Sequence, residues 1–111
     1  MSFPGRLHRK AVAELETVHE DDQKRIIEIA EEVEEQGTSH PLVGLASDNK
    51  GDLFWRFETQ DTTQPYRVPL HAETDQGPHI VFLAIWDEAK YHSREGKEEM
   101  RRRREDYSLT D

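Results

Sequence analysis

The 111 residues contain no cysteine, which excludes disulfides and thiolate-ligated metal sites. Long apolar runs are equally absent. No segment approaches the roughly 18 apolar residues that a bilayer span needs, and the N-terminus "MSFPGRLHRK" lacks the apolar stretch of a signal peptide. Together these absences predict a single soluble, cytoplasmic domain over 1–111 with no membrane partner. Catalytic signatures are missing too, with neither a P-loop nor G-x-S-x-G. The six histidines, His8, His19, His40, His71, His79 and His92, never recur at i+3 or i+4, so no dedicated metal site is expected.

Hydrophobic residues make up 33% of the chain and charged residues 35%. That is leaner in apolar content than ordinary globular chains. Lysine is scarce, five against ten arginines, and 15 basic side chains face 24 acidic ones for a formal net charge of -9. Such a balance disfavours nonspecific affinity for polyanions and suits a salt-rich medium, where net charge maintains solubility. Only residues 90–111, with seven basic and six acidic side chains, are not acidic.

Hydrophobic spacing supplies the elements. Leu7, Ala11, Leu15 and Val18 form one stripe of an amphipathic helix, and Ile26, Ile29, Ala30 and Val33 form another. Glu20, Asp21 and Asp22 fall where the second helix dipole favours acids, and Gly37 is a natural αL terminator. The short join between the two predicts an antiparallel helical hairpin. "TSHPLVGLASDNKGD" reads as a loop. "LFWRFE" and "YRVPL" alternate as strands, with Pro69 expected at a strand end or a bulge. "HIVFLAIW" reads as one central strand buried on both faces. "DEAKYH" then leads to a last helix capped by Ser93. The predicted class is α+β: an N-terminal helical hairpin packed on a small three- to four-stranded antiparallel sheet, with a short C-terminal helix.

The run Arg101, Arg102, Arg103 and Arg104 is not a basic face, because consecutive helical residues point about 100° apart. Glu98 and Glu99 precede Arg102 and Arg103 by four, the favourable order for helical ion pairs. Two readings stand, a solvated and capped last helix or contacts to an anionic partner.

More chemistry lies upstream. Arg56 and Arg67 occupy the non-core phase of two adjacent predicted strands. If those strands pair, both guanidiniums project from one sheet face as a phosphate clamp. Alternatively, each pairs with a nearby carboxylate such as Glu58 or Asp61. "KYHS" places Lys90, Tyr91 and His92 before the last helix, where free N–H groups favour an anion. His92 can serve as general acid or base, with Lys90 and Tyr91 supplying charge and a hydroxyl. The plain alternative is that Tyr91 packs while Lys90 and His92 are exposed.

Taken together, "RKAVAELETV", "GDLFWRFE", "YRVPL", "HIVFLAIW" and "RRRREDY", spread over most of residues 6–107, resemble the RelE/ParE superfamily of toxins, closest to its HigB-like branch. The resemblance implies a toxin of a type II toxin–antitoxin system that cuts mRNA on the ribosome by 2′-hydroxyl attack, with no metal or cofactor. Its partners would be a cognate antitoxin, a small DNA-binding protein, and ribosome-bound mRNA. It further implies Arg67 as the main phosphate clamp with Arg56 and Lys90 in support, His92 as acid/base, and Tyr91 as acid or base-stacking platform. The alternatives are a ParE-like DNA gyrase inhibitor and a noncatalytic protein-interaction domain of the same fold.

The excess of carboxylates over lysines predicts a stability that rises in molar KCl as repulsion is screened. A melting temperature unchanged between low salt and molar KCl contradicts the salt-rich setting.

Overall fold

The computed structural model describes residues 6–47, 50–73 and 79–110, with the side chains at 72, 73, 79 and 106–110 outside that description. "MSFPG", the tip of the "AETDQGP" turn and the Tyr107 side chain therefore lie outside the described residues. In chain order the first elements are β1 (Arg6–Leu7), α1 (Arg9–Glu16), α2 (Glu20–Gln36), a 3-10 turn (Gly37–Ser39), β2 (Val43–Ser47) and β3 (Leu53–Glu58). After these come β4 (Tyr66–Glu73), β5 (His79–Phe82), β6 (Trp86–Asp87), α3 (Glu88–His92) and α4 (Arg94–Thr110). The chain is a mixed α+β fold, with four α-helices among the described residues and an open sheet ordered β1-β5-β4-β3-β2, with β6 also beside β4.

Leu7 belongs to a strand rather than to the first helical stripe. It pairs in parallel with Phe82, and His8 makes the transition by donating its N–H to the Phe82 carbonyl at 2.9 Å. The His8 Nδ1 then accepts from the Lys10 amide at 3.1 Å and caps α1. His19 caps α2 in the same way, through Asp21, and the His40 Nδ1 accepts from the Leu42 amide. Three of the scattered histidines thus satisfy backbone donors that helix starts and turns leave open. Glu20, Asp21 and Asp22 do occupy the first turn of α2. Gly37 closes that helix at φ 67°, ψ -153°, a region beyond αL that essentially only glycine adopts.

Two apolar clusters exploit the strand alternation. Phe57, Val68, Leu70, Ile80 and Phe82 join Ala11, Val18, Ile26, Ile29, Ala30 and Val33 in the larger one. Phe54, Val81 and Leu83, from the opposite phase, join Trp86, Tyr91 and Met100 in the smaller one. Phe57 and Phe82 meet edge-on at 5.9 Å, each fully buried and contributing about 1.5–3 kcal/mol by transfer. The phase assigned to solvent on β3 and β4 is therefore partly covered by α3 and α4.

Several sequence expectations are corrected here. Among the described residues the sheet has six strands, two of them only two residues long, rather than three or four, and β1 enters it in parallel. Part of the expected loop is the edge strand β2, and "KYH" lies in its own helix, α3, while the last helix is 17 residues long rather than short. Ser93 does cap that helix, accepting from the Gly96 amide at 2.9 Å. A Cβ at Gly96 would overlap the Lys90 carbonyl, so the tight α3–α4 corner requires glycine there.

"HIVFLAIW" is buried throughout its described side chains, but it is not one strand. Phe82 pairs with Leu70 and Trp86 with Arg67, so four steps on one chain face three on β4. Leu83–Ile85 form the resulting bulge. Pro69 lies opposite, inside β4, where its carbonyl accepts from Leu83 N at 2.8 Å. Its nitrogen, which cannot donate, faces the same interrupted stretch, which is why a proline is tolerated mid-sheet.

Two further bulge groups are satisfied by charged side chains. Arg103 Nη1 donates to the Leu83 carbonyl at 2.8 Å, and Ile85 N donates to Glu14 Oε1 at 3.2 Å. The two side chains also bind each other in a bidentate pair, Nη1–Oε1 at 2.9 Å and Nη2–Oε2 at 2.8 Å. Trp86 Nε1 donates to Glu14 Oε2 at 2.8 Å, and the Arg103 guanidinium lies 5.2 Å from the Trp86 ring centroid. Arg103 Nε completes the set on Glu99 at 3.0 Å. Burial alone would raise the Glu99 carboxyl, but hydrogen bonds and charge from Arg103 and Lys10 bring it down to about 2.

Arg103 is 5% exposed, so removing it takes the countercharge from Glu14 and the side-chain donor from the Leu83 carbonyl. Arg103→Ala should lower stability by about 3–5 kcal/mol, the cost of breaking a buried pair from one side. Urea denaturation measures it, and a loss below about 1 kcal/mol would place the pair among ordinary surface bridges.

Candidate functional site

Strand register determines where the two clamp arginines fall. Glu58 pairs with Arg67 and Arg56 with Pro69, so Arg56 and Arg67 are diagonal neighbours on one face. Their guanidiniums meet at a common carboxylate. Arg67 Nη2 lies 3.1 Å from Glu58 Oε1, and Arg56 Nη2 lies 3.3 Å from the same oxygen. Glu58 is thus the carboxylate that pairs with these arginines. Asp61, the other carboxylate expected near them, sits 3.8 Å from Arg25 instead. Arg56 reaches this position by lying across β2 at its register partner, where a Cβ on Gly44 would come within 3.2 Å of Nη1.

The floor of the site comes from α3. Asp87 caps that helix, with Oδ1 accepting from the Lys90 amide at 2.8 Å. The Tyr91 ring then turns inward, with Phe54 at 6.2 Å and the Arg67 guanidinium 5.2 Å from its centroid. Burial pushes the Tyr91 phenol up from its ordinary value, opposed by the charges and hydrogen bonds of Arg56 and Arg67. Its hydroxyl therefore remains a proton donor. At 5% exposure the ring has no open face on which a base could stack. His92, exposed at the end of α3, meets the Tyr91 ring edge-on at 5.1 Å.

Lys90 points elsewhere. One residue along a helix turns the side chain by about 100°, and its Nζ lies 5.8 Å from the Trp86 ring centroid. There it lines a separate cavity of about 320 Å³ with Glu14, Gln64, Tyr66 and Asp87. The arginine run also scatters. Arg101 approaches Asp52 at 3.6 Å, Arg102 bonds Glu99 at 3.3 Å rather than Glu98, and Arg103 is internal. Glu98 pairs with Arg94 instead. Arg103 cannot serve as a partner contact without abandoning the bulge, and Arg104 is half-buried on the same helix.

A second carboxylate at the site is one that sequence reasoning missed. Glu88 Oε1 lies 3.3 Å from Arg67 Nη2, so that one nitrogen is shared by Glu58 and Glu88. Both Nε atoms, of Arg56 and Arg67, are buried without a hydrogen-bond partner among the described residues. The arrangement is an ordered pair of guanidiniums, aligned on an interior phenol and closed outward by two half-exposed carboxylates. Chemically it can bind an oxyanion by exchange with a carboxylate.

Comparison with protein-family models, with curated proteins and with solved structures gives no match.

Because the Tyr91 phenol titrates above its ordinary 10.0, ultraviolet titration should show a tyrosinate transition displaced to high pH. A group raised in the folded state contributes stability below its unfolded pKa, lost as pH rises through the folded one. Tyr91→Phe should remove that transition. A transition unchanged by the substitution would contradict the burial of this phenol between the guanidiniums.

Proposed function

We propose that this chain is a toxin of the RelE/ParE type, of the HigB-like branch, acting as a ribosome-dependent mRNA endoribonuclease. The observation that carries the reading is the convergence of Arg56, Arg67 and Tyr91 on one spot with His92 beside it. Support at the level of fold comes from a short-joined helix pair sharing a core with an open, mostly antiparallel sheet. We take this as the helical hairpin laid on one sheet face, with the C-terminal helix on the other.

On this reading a scissile phosphate binds Arg67 Nη2, with Arg56 alongside, and the two charges stabilise the negative charge that builds on the phosphorane. The His92 imidazole, in its neutral form, takes the proton of the 2′-hydroxyl as that oxygen attacks phosphorus. The bond from phosphorus to the 5′-oxygen breaks, and the Tyr91 hydroxyl supplies a proton to the leaving oxygen. The products are a 2′,3′-cyclic phosphate and a free 5′-hydroxyl. Glu58 holds the guanidiniums in register, while Lys90, directed to the Trp86 side, contributes charge at longer range. The partners are ribosome-bound mRNA and an antitoxin built as a small DNA-binding protein. A net charge of -9 opposes approach to ribosomal RNA, and salt relieves it, since the Debye length falls to about 3 Å at 1 M.

A second reading draws on one specific observation. Glu58 and Glu88 already occupy the outward nitrogens of the clamp, which suits a noncatalytic interaction domain of the same fold.

Cleavage of a defined mRNA on programmed ribosomes, mapped by primer extension across a range of KCl, separates the two. Wild type should cut only with ribosomes, and Arg67→Ala should lose about 10²–10⁴-fold in rate. Full activity in Arg67→Ala overturns the site assignment. No cuts at any salt favour the interaction domain.

A further inference from the structure

We propose that Glu88 is an autoinhibitory carboxylate, occupying the Arg67 position to which the phosphate of a substrate must bind. The inference rests on the phosphate-clamp reading above. The two carboxylates at the clamp are not equivalent. Glu58 stands on β3 directly opposite Arg67 and gives one oxygen to both guanidiniums, so it orders the pair. Glu88 touches Arg67 alone, from a different element, and its oxygen lies 3.3 Å from the same Nη2 that Glu58 already holds at 3.1 Å. One guanidinium nitrogen therefore faces two anionic oxygens, one more than its alignment requires.

Access separates them as well. The Arg67 side chain is 19% exposed and its Nε is buried, so the outward Nη2 is a natural point of entry for an oxyanion. Glu88 covers it with a carboxylate that is itself 51% exposed. Half-exposed ion pairs contribute little, so a phosphate oxyanion that reaches the guanidinium can displace such a group. The backbone beneath need not move, because α3 is anchored by its Asp87 cap and by the buried Tyr91. Displacement amounts to a side-chain rotation about Glu88.

The electrostatic consequence is a sum over four groups. Arg56 and Arg67 against Glu58 and Glu88 leave the clamp neutral, and removing Glu88 alone leaves it with one net positive charge. An anion then meets attraction in place of neutrality. The difference should fade in concentrated salt, where charges beyond about 3 Å are screened at 1 M.

The test is inorganic phosphate binding followed by NMR titration on the intact chain, for wild type, Glu88→Gln, Arg67→Ala and Glu31→Gln. The last removes one charge from an exposed position on α2 and controls for net charge. Glu88→Gln should bind phosphate about 10-fold more tightly than wild type at low salt, with the gap closing in molar KCl. Glu31→Gln should match wild type, and Arg67→Ala should bind least. Equal affinity in wild type and Glu88→Gln, with loss in Arg67→Ala, overturns autoinhibition while leaving the clamp intact. Phosphate binding unaffected by Arg67→Ala, or absent from all four proteins, overturns the clamp and the inference with it.

Discussion

The Glu14–Arg103 pair is the interaction on which the rest of this structure depends. It joins the first helix to the last across 89 residues of sequence and meets in the middle at a defect in the sheet. A bulge leaves backbone groups without ladder partners, and buried groups of that kind cost about 1–3 kcal/mol each when unsatisfied. Here the Leu83 carbonyl and the Ile85 amide find their partners in Arg103 and Glu14. The indole N–H of Trp86 joins the same carboxylate. Because both charges also satisfy each other, little desolvation cost remains uncompensated.

The bulge matters because it sets the course of the chain beyond Ile85. One extra residue shifts the backbone so that Trp86 and Asp87 rejoin β4 beside Arg67 and Tyr66. Asp87 then starts α3, and α3 presents Glu88 and Tyr91 to Arg67 from two sides. Arg103 thus acts on the clamp at a distance, by deciding where the last strand ends. The charged clamp and the charged hub differ in kind. The hub is bidentate and its arginine nearly fully buried, with Glu14 24% exposed, whereas the carboxylates of the clamp are 41% and 51% exposed. Charge held in the interior orders the fold, and charge at the surface remains exchangeable.

Much of this was legible in the sequence. The helical stripes of α1 and α2 and the alternation in "LFWRFE" and "YRVPL" located the main core, because burial on one face leaves a period. The same alternation put Arg56 and Arg67 on a common face. Elements without a one-sided pattern were lost. The edge strand "VGLAS" has no polar alternation, and α3 is too short for a period. In "HIVFLAIW", burial on both faces conceals the bulge within a uniform apolar run. Arg103 was obscured by its three identical neighbours. The signal was nevertheless present, since Gly96, Met100 and Arg103 fall at i, i+4 and i+7 and form the inward stripe of α4. Glu88 was unreadable for a different reason, because its approach to Arg67 depends on the bulge that places α3.

Native-state hydrogen exchange in wild type and Glu14→Gln tests most directly the claim that the buried pair positions the site through the bulge. The account predicts that the amides of Ile85 and Trp86 lose protection together with those of α3, while the amides of α2 retain theirs. Protection lost uniformly across the chain, or unchanged at Ile85 and α3, would contradict it.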